Sequence, residues 1–79
     1  MIEAAQIRAA RALLNISQAV LAESATVHVA SIRRLEAASE VRGAADTIWK
    51  VEAALEKLGV EFIPAEGGKG PGVRLRQAR

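Results

Sequence analysis

The chain has 79 residues, with 11 lysines and arginines against 9 acids, and its formal net charge is +2. This length is enough for one small domain, and the charge balance permits nucleic-acid binding without arguing for it. Because there is no cysteine and only one histidine, disulfides, thiolate metal sites and histidine-based zinc sites are excluded. We therefore expect no metal and no cofactor.

The first part of the chain carries two helical patterns separated by a short break. Residues 4–14 place apolar side chains at spacings of three and four. That spacing predicts a helix with Ile7 and Leu14 inward and Gln6 outward. Ser17 then suits the N-cap of a second, shorter helix.

A third helix is predicted at about 28–36, three residues after the second. On a helical wheel of ~100° per residue, Ile32 and Leu35 point inward while Arg33 and Arg34 lie on the open side. Two short helices joined in this way have the helix-turn-helix geometry, in which the second helix can enter the major groove. An arginine there can bond guanine O6 and N7 together. On geometry alone, base reading and an ordinary solvated face explain these arginines equally well.

The most regular helical pattern covers 47–58, with Asp46 placed as its N-cap and Gly59 as its C-terminal stop. After it, VEFI (60–63) is β-prone and VRLR (73–76) alternates apolar and basic residues, which predicts two short strands. These strands could pair with each other, pack on the helices or pair with a second chain.

Two further patterns are weak as functional sites. The glycine-rich GGKGPG at 67–72 lacks the following helix of a phosphate-binding loop, so we interpret it as a hairpin turn. Glu52 and Glu56 lie on the polar side of an amphipathic helix, where carboxylates are usually solvated. Nothing resembles a nucleophile with its base, and we expect no enzyme activity.

The segment 6–37 carries a family resemblance. Its core, ISQ-x-x-LA-x-x-A-x-V (16–27) followed by SIRRLE (31–36), resembles the Cro and phage-repressor type helix-turn-helix, also called lambda-repressor-like or the XRE family. The resemblance implies a mainly α fold, a bundle of four helices with room for a fifth, and a short C-terminal β-hairpin or pair of strands. We assign 1–59 to the helix-turn-helix DNA-binding domain and 60–79 to a β-strand extension, a candidate dimerisation element.

The resemblance also implies roles for particular residues. Family members read bases with the open side of the third helix, where this chain has Val29, Ala30 and Arg34. Contacts to phosphate are expected from Ser17, Gln18, His28, Arg33 and Arg42. Arg11 and Glu36 match a pair that forms an internal salt bridge in some relatives.

Three positions depart from the family pattern. Thr26 stands where glycine usually supplies a positive φ, so either the turn is altered or a β-branched residue is strained there. His28 replaces the usual Ser or Thr cap of the third helix. It either touches a phosphate or remains an exposed turn residue. Val29 replaces a side chain that is often polar.

These observations predict a sequence-specific, DNA-binding transcriptional regulator that acts as a homodimer. Each copy would place helix 28–36 in the major groove of a near-palindromic operator of double-stranded DNA. No apolar run approaches a membrane span, so we expect a cytoplasmic protein with no membrane partner. The alternative is a protein-interaction module, such as the antitoxin of a toxin–antitoxin pair, which would bind a toxin or other protein with weak or no DNA reading.

Overall fold

The computed structural model describes residues 2–37 and 45–78, which form four helices followed by two strands. The elements are α1 Ala4–Leu14, α2 Gln18–Ala25, α3 Val29–Ala37, α4 Ala45–Leu58, β1 Val60–Ile63 and β2 Gly72–Leu75. The predicted mainly α bundle with a C-terminal pair of strands is confirmed. Some boundaries differ by one or two residues: Asp46 lies inside the first turn of α4 rather than before it, and β2 begins and ends one residue earlier than predicted.

The helices share one core with the first strand. Its largest fully buried side chains come from all four helices and β1, and they are Ile7, Leu21, Ile32, Ile48, Val51, Leu55 and Val60. Burying each such side chain contributes about 1.5–3 kcal/mol. The core therefore holds the three N-terminal helices in fixed orientation against α4 and the sheet.

The two strands pair with each other within the chain. They run antiparallel, with Val60 opposite Leu75, and they pack against α1 and α4. This contact buries Gln6, whose Nε2 donates to the Gly72 carbonyl at 2.9 Å and whose Oε1 accepts the Glu3 N–H at 2.8 Å. The prediction that Gln6 faces outward is wrong, because β2 covers a position that the helix alone leaves open.

The glycine-rich segment is a tight turn at the tip of this hairpin. Glu66 and Lys69 exchange two backbone hydrogen bonds, of 3.1 and 2.9 Å. Gly67 and Gly68 between them have φ values of 60° and 77°. Two consecutive positive φ values define a type I′ turn, which favours glycine at both positions. The segment therefore reverses the chain, as its sequence predicts.

The turn between α2 and α3 keeps a left-handed residue although no glycine is available. Thr26 has φ 58°, and its N–H bonds the Glu23 carbonyl at 3.2 Å. The next N–H, from Val27, bonds the Ala22 carbonyl at 3.0 Å. These two bonds form a Schellman motif, the usual close of a helix at a left-handed residue. The turn is thus unaltered, and the β-branched threonine carries the strain.

We expect Thr26→Gly to raise the free energy of unfolding by about 1 kcal/mol, measured by urea denaturation. A left-handed conformation costs an ordinary residue about 1–2 kcal/mol, and the greater freedom of glycine in the unfolded chain offsets part of that gain. The exposed Thr26 side chain takes little packing with it. Asn15 is the matched control, because it ends α1 at φ 56° but asparagine tolerates this region. If Thr26→Gly and Asn15→Gly raised the free energy of unfolding equally, the conclusion that Thr26 is strained would be wrong.

Candidate nucleic-acid interface

The open side of α3 carries two exposed arginines above a buried anchor. Ile32 and Leu35 are buried in the core, whereas Arg33 and Arg34 are exposed. The Arg34 Nη2 donates to the Ser31 Oγ at 3.3 Å, a contact within the helix that leaves most guanidinium donors available. An anchored helix with two guanidiniums outward can be placed against a nucleic-acid groove without losing its packing.

Two apolar residues precede these arginines, and the structure exposes them only in part. Val29 and Ala30 are both half-buried at the start of α3. Val29 packs against the core cluster, so only part of its side chain is available to an outside contact. Ala30 adds little bulk, which permits close approach of the helix backbone to a ligand.

His28 caps the N-terminus of α3. Its Nδ1 accepts the Ala30 N–H at 3.0 Å, and its carbonyl accepts the Ser31 N–H at 2.9 Å. The imidazole therefore replaces the usual Ser or Thr cap. When Nδ1 of a neutral imidazole accepts, the ring proton is on Nε2. The residue is exposed, so in this tautomer its Nε2–H is a candidate donor to an outside acceptor.

Ser17 caps the N-terminus of α2 with its hydroxyl group. The Ser17 Oγ accepts the Val20 N–H at 3.1 Å. The backbone N–H groups of the first turn, with the positive end of the helix dipole, lie at an exposed end of the helix. Such an end is suited to an anion.

Arg11 and Glu36 form a bidentate ion pair between α1 and α3. The Arg11 Nε lies 2.6 Å from Glu36 Oε2, and Nη2 lies 2.9 Å from Oε1. Glu36 is 5% exposed and Arg11 is 23% exposed. The Arg11 Nη1 also donates to the Ile16 carbonyl at 3.0 Å, and Arg8 donates to the Glu36 carbonyl. The pair therefore joins both helices to the α1–α2 turn.

The same contacts set the protonation of Glu36. Burial by itself raises the pKa of its carboxyl, but hydrogen bonds from Arg11 and Gln18 and the positive charges of Arg11 and Arg8 outweigh burial. The pKa of Glu36 consequently lies below its ordinary value. The hydrogen bond with Glu36 raises the pKa of Arg11, although burial opposes it. Both groups are charged around neutral pH.

Gln18 links this ion pair to the start of α2. Its Nε2 donates to Glu36 Oε1 at 3.1 Å, and its side chain is half-buried. An amide nitrogen carries two protons, so one N–H remains for another acceptor. The link, and the contact of Arg8 with α3, were not predicted from the sequence. The spacing of Arg8, one helical turn before Arg11 on α1, is the sequence feature that could have indicated its contact with α3.

Some predicted features fall outside these contacts. Arg42 lies outside the described residues. Within 2–37 and 45–78, no three acidic or histidine side chains are grouped as metal ligands would be. None of the helices in those ranges is both long and apolar enough to cross a membrane.

The α2–turn–α3 unit, packed on α1 and α4 with an arginine-bearing second helix, defines a helix-turn-helix DNA-binding domain. The model of the helix-turn-helix family matches residues 7–62, more than half of the chain. The protein belongs to this family, the XRE or lambda-repressor-like DNA-binding regulators. The resemblance seen over 6–37 is confirmed, and the match extends through α4 into β1. No curated protein matches the chain.

Proposed function

We propose that this DNA-binding regulator is sequence-specific and acts as a homodimer, with α3 of each copy in the major groove of a near-palindromic operator. The observation that carries the proposal is the open side of α3, where Arg33 and Arg34 are exposed while Ile32 and Leu35 anchor the helix. A regulator of this kind works where the DNA lies, and on that ground we propose a cytoplasmic protein.

The contacts divide into base reading and backbone positioning. We assign base contacts to Val29, Ala30 and Arg34. We assign phosphate contacts to Ser17, Gln18, His28, Arg33 and Arg42. The exposed ring of His28, the second N–H of Gln18 and the exposed first turn of α2 support these phosphate assignments, because each of them can donate a hydrogen bond.

The proposal of a dimer depends on the small number of base pairs that one recognition helix can contact. A single recognition helix contacts too few base pairs for useful specificity, whereas two copies place their helices one DNA turn apart, ~34 Å. The strand extension 60–79 remains a candidate for joining the copies, because each strand of a two-stranded sheet has one unpaired edge.

Binding of the whole chain to DNA tests the proposal. Fluorescence anisotropy with random duplex at low salt should show binding that weakens steadily as salt rises, because phosphate contacts release counterions. Selection from a random pool should then recover near-palindromic sites whose half-sites lie ~10 bp apart. A protein that binds no duplex even at low salt would refute the regulator.

The second candidate, a protein-interaction module such as an antitoxin, is favoured by two observations. Val29 packs partly on the core, which reduces the apolar surface left for bases, and the net charge is only +2. A stable complex with a toxin or other protein, formed by a chain that shifts no DNA, would support this candidate over the regulator.

A further inference from the structure

The outward side of α4 carries a feature that the helix-turn-helix does not use. Five exposed residues form this surface, which we call the outer face of α4: Asp46, Trp49, Lys50, Ala53 and Lys57. Trp49 is the single tryptophan of the chain and is 63% exposed. Tryptophan is enriched among the residues that dominate binding at protein interfaces. Such exposure therefore indicates a contact surface.

A groove lies beside this tryptophan. It is a shallow depression, open to solvent, and it is lined by Trp49, Glu52, Ala53 and Glu56 of α4. Ala53 is one helical turn beyond Trp49, so the large side chain stands next to a small one. This alternation lets a second helix insert a bulky side chain over the alanine, as in ridge-and-groove packing.

The charges at the two ends of the face are self-complementary. Asp46 lies in the first turn of α4 and Lys57 in its last turn. Two copies of α4 packed antiparallel bring Asp46 of each copy against Lys57 of the other. The midpoint between positions 46 and 57 nearly coincides with the midpoint between Trp49 and Ala53. One two-fold axis near position 51 therefore satisfies the charge pair and the Trp–Ala contact together.

We infer that the outer face of α4 is the docking surface for a second copy of this chain, packed as an antiparallel, two-fold α4 pair. Trp49 of each copy covers Ala53 of the other, on the same side of the two-fold axis. This inference rests on the proposed dimer and specifies its interface, in place of strand pairing. One helix face buries less than a standard interface, so the dimer is weak and depends on protein concentration.

The first experiment measures how the oligomeric state of the full chain depends on its concentration in the absence of DNA. Sedimentation velocity should show a monomer–dimer equilibrium at low salt. The emission of Trp49 should move to shorter wavelength as the dimer forms, because its indole leaves water. A wild-type chain that stays monomeric, or a dimer that forms with unchanged Trp49 emission, would overturn the inference.

The decisive experiment exchanges the charges at positions 46 and 57 and measures the dissociation constant of the dimer. Asp46→Lys alone and Lys57→Asp alone each place like charges opposite one another, and each should weaken the dimer roughly tenfold or more. The double variant should restore it. In that variant each new charge opposes the dipole of its own helix, so recovery cannot come from a more stable α4. Glu66→Lys, with the same charge change on the hairpin turn, should leave the dimer constant unchanged.

The outcomes separate this interface from the other proposals. A dimer that persists in both single variants would point to the strand edges and overturn the α4 pairing. The α4 pairing would also be overturned if the double variant failed to dimerise as wild type does while its circular dichroism showed a native fold. The affinity of the same variants for random duplex DNA tests DNA binding separately from the dimer interface. A chain that dimerises as described but binds no DNA would refute the regulator and leave the interface standing.

Discussion

Glu36→Gln is expected to lower the free energy of unfolding by about 2–3 kcal/mol at neutral pH, as measured by urea denaturation. Removing one partner of a buried ion pair typically costs about 3–5 kcal/mol because the other charge is left uncompensated. Arg11 is 23% exposed, and water around it reduces that cost. The loss is still large beside the total stability of a small domain, about 5–15 kcal/mol.

The effect should depend on pH in a defined direction. The folded-state pKa of Glu36 lies below the ordinary value of 4.5, so the unfolded chain takes up its proton first as pH falls. The stabilisation is therefore fully present above pH 4.5 and is lost as pH falls through the lower folded-state pKa. Glu36→Gln lacks this titration. The stability difference between wild type and variant should shrink below pH 4.5, and a difference that stays constant would contradict the assigned cause.

An exposed ion pair in the same chain provides the matched control. Glu61 pairs with Arg74 across the hairpin, and their side chains are 39% and 68% exposed. Exposed pairs contribute about 0–1 kcal/mol, so Glu61→Gln should change the free energy of unfolding only slightly. If both variants lost the same stability, burial would not explain the larger effect expected at Glu36.

For DNA recognition, Arg34→Ala is expected to cost about 1–3 kcal/mol in affinity for the selected operator and to relax the preference at one base pair. The physical reason is the loss of the bidentate contact to guanine that we propose for Arg34, which a methyl group cannot replace. Anisotropy titrations with the operator and with single-base variants of it measure both effects. Stability should change little, because Arg34 is exposed and its hydrogen bond to Ser31 is a surface contact.

The neighbouring arginine is the control, since it has the same side chain on the same helix. Arg33→Ala should weaken operator and random duplex by a similar factor and reduce the salt dependence, as expected for a phosphate contact. If Arg33→Ala relaxed a base preference and Arg34→Ala did not, the roles of the two residues would be reversed.

Gln18 links the Glu36 ion pair to one of the DNA contacts that we propose. Its amide donates to Glu36, and we propose that its second N–H contacts a phosphate. Loss of the Glu36 carboxylate removes both the partner of Arg11 and the group that orients this amide. The ion pair therefore matters for the geometry of the interface as well as for the stability of the bundle.

Much of the fold is determined locally and could be predicted from the sequence. The apolar spacing of α1 and α4 and the Ser17 cap depend on residues within a turn or two of each other. Gly67 and Gly68 likewise specify a turn by their own conformational freedom. The separation of Arg33 and Arg34 from Ile32 and Leu35 follows from helical periodicity alone. The helix-turn-helix could therefore be identified before any tertiary contact was known.

Other properties were decided only by tertiary structure, because they depend on residues far apart in the chain. Gln6 is buried since β2 crosses it, and no pattern within α1 indicates that contact. Trp49 is 63% exposed because neither strand covers it. Periodicity specifies which face of a helix is apolar, but only the assembled bundle determines which faces are covered.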